Sequence, residues 1–281
     1  MLTRTWLAQL PLTKIKRVQP VSGGDINQAY CVQTERQRYF LKVQKRQTGA
    51  FFAHEQAGLE LLAPAIRVPQ IIASGTIAGD AYLLLEWLDF GSGDEAALGR
   101  AIAHVHQQHA NQFGLAHDFT AGKLPKYNAW CNDWADFYIN QRLAVLADLA
   151  RRQQRWNDFR EQHLQQLYQR IRTYFATVKP VPSLLHGDLW SGNSNFLTDG
   201  TPVLLDPDVF YGDREMDLAM TQLFGGFSAA FYQAYTEVYP LRANYQQRIP
   251  WYQTYYLMAH LNLFGETYGP ALDQTLLQAA I

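Results

Sequence analysis

The chain has 281 residues, 48% of them apolar and 14% aromatic, enough to bury a full core and too apolar for intrinsic disorder. Its 24 Lys and Arg against 25 Asp and Glu leave a formal charge of −1, which supplies no basic field for nucleic acid or for an anionic membrane surface. No apolar run approaches the ~20 residues of a membrane helix, and the opening Met1–Leu7 lacks the apolar core of a secretory signal. Two cysteines, Cys31 and Cys131, are too few for a disulfide framework. The expectation is a cytoplasmic globular protein with neither nucleic acid nor membrane as partner.

A short amphipathic helix is predicted over Thr5–Leu10, followed by strands over Ile15–Val21, Ala29–Thr34 and Arg38–Val43. The next stretch, Ala50–Leu62, reads as a helix on which Phe51, Phe52, Leu59 and Leu62 share a face. Pro64 and Pro69 punctuate its exit, ahead of strands over Gln70–Ala73 and Ala81–Trp87. Asp89–Asp94, polar and glycine-containing, is the best linker in the chain. Apolar residues at three- and four-residue spacing then predict helices over Ala96–Gln108, Asn128–Leu149 and Trp156–Val178. Short strands are expected at Pro182–Leu185, Ser194–Leu197 and Pro202–Leu205, with helices from Glu215 to the end. The pattern divides the chain into a small sheet-rich part, residues 1–88, and a larger helical part, residues 89–281. His104, His106 and His109 crowd one predicted helix without clean metal-ligand spacing, and read as solvated or core histidines.

The strongest chemical signal is His186-Gly-Asp188-Leu-Trp190-Ser-Gly-Asn193, with Asp206 following just after a short strand. This is the spacing of a kinase catalytic loop. One carboxylate, Asp188, is placed to accept a hydroxyl proton, while an amide oxygen and a second carboxylate, Asn193 and Asp206, suit Mg²⁺ held against phosphates. The competing reading, Asx residues serving as turn formers, weakens once Asp206 is included.

Such chemistry makes demands upstream, and the sequence meets them in order. A lysine is needed in the third strand, and Lys42 lies there, on the same face as Phe40 and opposite Leu41 and Val43. Its partner carboxylate on the next helix is Glu55, with Glu60 a later rival. Gly23 and Gly24 lie between the first two strands, where a loop must approach the phosphates closely. The strand ending at Glu86 and Leu88 leads into the linker, where main-chain groups can pair with an adenine ring. There is no Walker A sequence and no G-x-S-x-G.

The segments His186–Asn193, Asp206–Met220 and Leu223–Phe227 resemble the fructosamine/ketosamine kinase family, as do Phe231–Glu237, His260–Gly265, Asn128–Phe137 and Gly23-Gly24 with Ile26-Asn27. The resemblance covers nearly the whole chain. It implies an α+β, bilobal protein-kinase-like fold, with a small antiparallel-sheet lobe and a larger, mainly helical one. The activity it implies is ATP-dependent phosphorylation of the sugar moiety of a glycated amine at its 3-hydroxyl, after which the product decomposes and frees the amine. By the same resemblance Asp188 is the base, Asn193 and Asp206 hold Mg²⁺, Lys42 fixed by Glu55 pairs with the ATP phosphates, and Gly23 and Gly24 cover them. Trp190 borders the acceptor, His260 and Asn262 line its pocket, and Asp217 braces the catalytic loop. The acceptor is then a small glycated amine or a glycated protein lysine. Two positions depart from the family: Asp208 stands where a small residue is usual, and Lys126 where a Gln is. Both bear on substrate preference. The alternatives are a kinase of the same fold for an aminoglycoside or choline-like acceptor, and a nucleotide-binding protein without catalysis. For Trp190 the alternative is a packed core residue.

Overall fold

The computed structural model describes residues 2–21, 27–121 and 123–281. Contacts group it into two units, each discontinuous in sequence: Met1–Asp94 with Ser194–Pro207, and Glu95–Asn193 with Asp208–Ile281.

The first unit opens with helix α1 (Arg4–Leu7) and continues through β1 (Ile15–Pro20), β2 (Gln28–Thr34), β3 (Arg38–Gln44), α2 (Ala53–Leu62), β4 (Ile71–Ile77) and β5 (Asp80–Glu86). The five strands form one antiparallel sheet in the order β1-β2-β3-β5-β4. Its apolar face carries Val32, Leu41, Val43, Ile77, Tyr82 and Leu84, packed with Trp6 and Leu10. The Trp6 indole N–H donates to the carbonyl of Ile77 at 3.1 Å, which fastens α1 to that face. Strand alternation then turns Lys42 to the other face, opposite Ala29 and Leu83 in register.

This unit also takes back a distant segment. Strands β6 (Phe90–Gly91), β10 (Ser194–Leu197) and β11 (Pro202–Leu204) make a three-stranded sheet in the order β11-β10-β6. The amide of Leu204 donates to the carbonyl of Arg67 at 3.0 Å and ties the segment in further. A Cβ at Gly93 would stand 2.1 Å from the Phe196 ring, so this crossing tolerates only glycine. The stretch that reads as a linker from residue 89 is therefore partly strand. Its partner lies about a hundred residues away, where no local pattern can announce it.

The second unit contains α3 (Glu95–His106), the short pair β7 (Phe119–Ala121) and β8 (Leu124–Lys126), then α4 (Trp134–Tyr138), α5 (Ala144–Arg152) and α6 (Asp158–Thr177). Strand β9 (Ser183–Leu185) pairs with β12 (Phe210–Gly212), and α7 (Glu215–Leu223), α8 (Ala229–Val238), α9 (Ile249–Phe264) and α10 (Gly269–Ala280) complete it. The single helix expected over residues 128–149 is broken: residues 128–133 are irregular, and the Asp133 carboxylate caps α4 by accepting from the Asp136 amide at 3.1 Å. A π-helical turn, Ile139–Leu143, then joins α4 to α5. Among the described residues no helix is long and apolar enough to cross a membrane.

Candidate active site

In the second unit the chemistry-bearing segment runs from the end of β9 into an irregular turn, residues 186–193. The turn is anchored from beneath by Asp217 on α7, a wholly buried carboxylate. Its Oδ2 accepts from the amide of His186 at 2.7 Å and its Oδ1 from the amide of Gly187 at 2.9 Å. Behind it stands His106 of α3, also fully buried, with Nε2 3.1 Å from Asp217 Oδ2 and Nδ1 2.8 Å from the Tyr235 hydroxyl. The start of α7 is itself held by buried charge. Arg248 forks onto both oxygens of Glu215 at 2.7 Å, and the Tyr252 hydroxyl donates to Asp213 at 2.6 Å. Two amides and a histidine on one carboxylate give a rigid base for the turn.

Gly187 has φ +83, and a Cβ there would lie 1.9 Å from the carbonyl oxygen of Asp208. This close approach is what requires glycine between His186 and Asp188. The half-buried Asp188 follows. Asn193 donates from Nδ2 to Asp188 Oδ2 and to the Asp188 carbonyl, both at 3.0 Å. The amide nitrogen is thereby committed to the aspartate, and the amide oxygen points away from it. Leu189 is buried, whereas Trp190 is 39% exposed. Its indole lies over Gly192, where a Cβ would meet the ring at 2.3 Å. The packed-core alternative for Trp190 does not hold.

In the first unit Lys42 is 3% exposed and donates from Nζ to Glu55 Oε1 at 2.8 Å and to Asp206 Oδ1. Glu60 is exposed on the far side of α2. Burial opposes the charge on Lys42, but the Glu55 and Asp206 carboxylates outweigh it and hold the ammonium above the usual lysine range. Burial pushes the Glu55 carboxyl up, with the Lys42 charge opposing it. Asp206 has φ +49 and precedes Pro207, a backbone that proline disfavours and that costs roughly 1–3 kcal/mol. The Lys42 contact holds it there, with the carboxylate still 40% exposed.

The remaining predicted positions fall differently. Gly23 and Gly24 lie outside the described residues. Glu86 ends β5 with its carboxylate held by Arg67 at 2.6 Å on both oxygens and its amide donating to the carbonyl of Gln70 at 2.9 Å. Its N–H is thus committed to the sheet edge, while Leu88, half-buried, lies beyond the strand end. His260 and Asn262 part company on α9, because residues two apart on a helix face away from each other. The His260 ring is surrounded by Phe224, Phe264 and Tyr268 at 4.9–5.5 Å. Asn262 is buried, and its Nδ2 donates to the carbonyls of Leu146 and Met258 at 3.0 and 2.8 Å. It braces α9 against α5 and does not line an open surface.

An amide oxygen and a carboxylate, the donors of Asn193 and Asp206, are hard ligands of the kind Mg²⁺ takes alongside phosphate oxygens and water. Among the described residues no three His, Cys, Asp or Glu side chains cluster as a protein-only metal cage requires.

A family model described as fructosamine kinase matches residues 2–280. The chain belongs to the fructosamine kinase family. A relative from Lactiplantibacillus plantarum, named probable ketoamine kinase, is 62% identical over 279 residues, which cover 99% of each chain. A crystal structure from Haemophilus somnus 129PT, assigned as a fructosamine-3-kinase, matches with a TM-score of 0.86 at 27% identity, over 98% of this chain and 95% of that one. Aminoglycoside phosphotransferase APH(4)-Ia, crystallised with ADP and hygromycin B, matches with a TM-score of 0.65 over 94% and 92% of the two chains. At 15% identity that likeness is one of fold alone. The fold is protein-kinase-like, with an antiparallel-sheet unit and a mainly helical one.

What the fructosamine kinase motifs do not announce is the histidine behind Asp217. His106 is hidden among three neighbouring histidines. Its position four residues after Ile102 and beside Val105, both fully buried, is the signal that separates it from His104, which is exposed.

Proposed function

We propose that this fructosamine kinase family member is an ATP-dependent phosphotransferase that phosphorylates the sugar of ketosamines at the 3-hydroxyl. One observation carries the proposal: the turn 186–193 is anchored on Asp217 and presents Asp188 with Asn193 bonded to it. Asp188 receives the acceptor hydroxyl proton as the hydroxyl oxygen bonds to the γ-phosphorus and the bond to the β–γ bridging oxygen breaks. Asn193 holds the carboxylate in one orientation throughout. Lys42, kept charged by Glu55 and Asp206, pairs with the nucleotide phosphates. Asn193 and Asp206 are the residues to hold Mg²⁺, which when bound neutralises phosphate charge. Trp190 offers an exposed aromatic face to the sugar or the amine, with His260 the further pocket residue. The product decomposes and frees the amine, and the reaction belongs in the cytoplasm.

The ketosamine reading is preferred to an aminoglycoside acceptor because the family match runs over residues 2–280, whereas the aminoglycoside enzyme shares only the fold. An ATP-consumption screen over glycated amino acids, free sugars, aminoglycosides and choline tests it. Turnover is expected on the glycated amino acids, with ³¹P NMR placing the phosphate on the sugar. Preferential turnover of an aminoglycoside or of choline would overturn it.

A further inference from the structure

We propose that Lys126 is a positioning residue for Asp188, acting through a closed ring of contacts around Gly187. This rests on the proposed role of Asp188 as the group that receives the acceptor proton.

Gly187, which precedes Asp188, is held between two elements, one at the carbonyl of His186 before it and one at its own carbonyl. Asp208 donates its amide to the His186 carbonyl at 2.8 Å and packs its own carbonyl against the Gly187 Cα, where no side chain fits. Tyr256 of α9 donates its hydroxyl to the Gly187 carbonyl at 3.2 Å. Lys126, at the end of β8, joins the two elements. Its Nζ donates to Asp208 Oδ2 at 2.6 Å and to the hydroxyl of Tyr255, and it lies 5.0 Å from the Tyr255 ring centroid. Tyr255 is the chain neighbour of Tyr256, their ring centroids 5.1 Å apart. The path Lys126–Asp208–Gly187–Tyr256–Tyr255–Lys126 closes on itself.

Lys126 is 6% exposed. A buried ion pair is a poor source of stability, since an apolar pair of the same volume often serves as well. What the ammonium supplies here is direction: it fixes Asp208 and α9 in one mutual register, and the Gly187 peptide lies between them. A shift of about 1 Å in a reacting group costs up to ~10²-fold in turnover. The effect of losing Lys126 therefore falls on kcat.

The test uses the full-length protein with ATP and Nε-fructosyllysine, at a temperature well below each variant's Tm. Lys126→Met is expected to lower kcat about 10–100-fold, with ADP affinity and both KM values within about twofold of wild type. The double variant Lys126→Gln/Asp208→Asn replaces the ion pair by a neutral hydrogen-bonded one and is expected to regain most of the loss. Tyr255→Phe removes only a hydroxyl, and should lower kcat in the same manner even where Lys126→Met fails to fold. A folded Lys126→Met, or failing that a Tyr255→Phe, with wild-type kcat would overturn the inference. So would a loss confined to KM, or a double variant no better than the singles. Asp188→Asn in the same assay keeps the two ideas apart. If it retains turnover, the role of Asp188 is wrong; if it is inactive while Lys126→Met is normal, only the role of Lys126 is.

Discussion

Asn193 and Asp188 are joined twice, through the side-chain amide to the carboxylate and to the main-chain carbonyl of the aspartate, each at 3.0 Å. The carboxylate is thus oriented before any acceptor arrives.

Asp188→Asn is expected to lower kcat by ~10²–10⁴-fold, the usual contribution of a general base. Nucleotide affinity should survive, because nothing in the role of Asp188 requires contact with adenine. Titration calorimetry with ADP beside steady-state kinetics checks both halves. More than about a tenth of wild-type turnover would contradict the assignment.

Lys42→Met leaves Glu55 and Asp206 without their cation, and breaking a buried pair costs ~3–5 kcal/mol. The lower end applies, because Asp206 is 40% exposed. Lys42→Met/Glu55→Leu is expected to recover most of that stability in a urea melt while turnover stays depressed by roughly two orders of magnitude, since the phosphates still lack their partner. Recovery of turnover along with stability would show that Lys42 serves only the fold.

Asp206→Ala is expected to abolish the dependence of ATP affinity on Mg²⁺, since charge neutralisation at the β- and γ-phosphates is most of what phosphoryl transfer requires. Titrating nucleotide with and without a chelator measures this. Wild-type activity in excess chelator would contradict the metal role, as would an undiminished Mg²⁺ effect in the variant.

Trp190 is exposed enough that Trp190→Ala should leave the Tm nearly unchanged, unlike the ~3–5 kcal/mol lost when a core tryptophan is truncated. The expected change is a several-fold rise in ketosamine KM, in keeping with a ring-face contact of roughly 0.5–2 kcal/mol. Gly192→Ala provides an independent check. Its methyl would meet the indole at 2.3 Å, so it must displace the ring and reproduce the kinetic change with Trp190 still present. Unaltered acceptor kinetics in both variants would exclude the role.

Much of the fold and site is legible because it is local. The lysine inside an apolar strand needs a partner one helix later, and alternation plus helix position chooses Glu55 over Glu60. The turn 186–193 carries its geometry in its own residues: a glycine at φ +83, and an amide five positions from the carboxylate it holds. What escapes a reading of the sequence depends on distant pairing. Lys126 finds Asp208 across 82 residues, and His106 finds Asp217 across 111. Asn262 resembles a pocket residue in its family-like His-x-Asn setting, but helical geometry turns it toward α5. Residues 128–133 have helical apolar spacing, yet Asp133 stops the chain from winding until Trp134.

The return of Ser194–Pro207 to the first unit sets an order of events during synthesis. A ribosome that has released only the first 94 residues has delivered strands β1–β6 and the Lys42–Glu55 pair, but neither β10, the partner of β6, nor β11, and no Asp206. The amino-terminal unit cannot reach its final form until about a hundred residues belonging to the other unit have emerged. A fragment ending at residue 94 would expose an unpaired strand edge, an invitation to aggregate. Circular permutants opened in the tight turn between β10 and β11 would redistribute that delay without altering a single side chain.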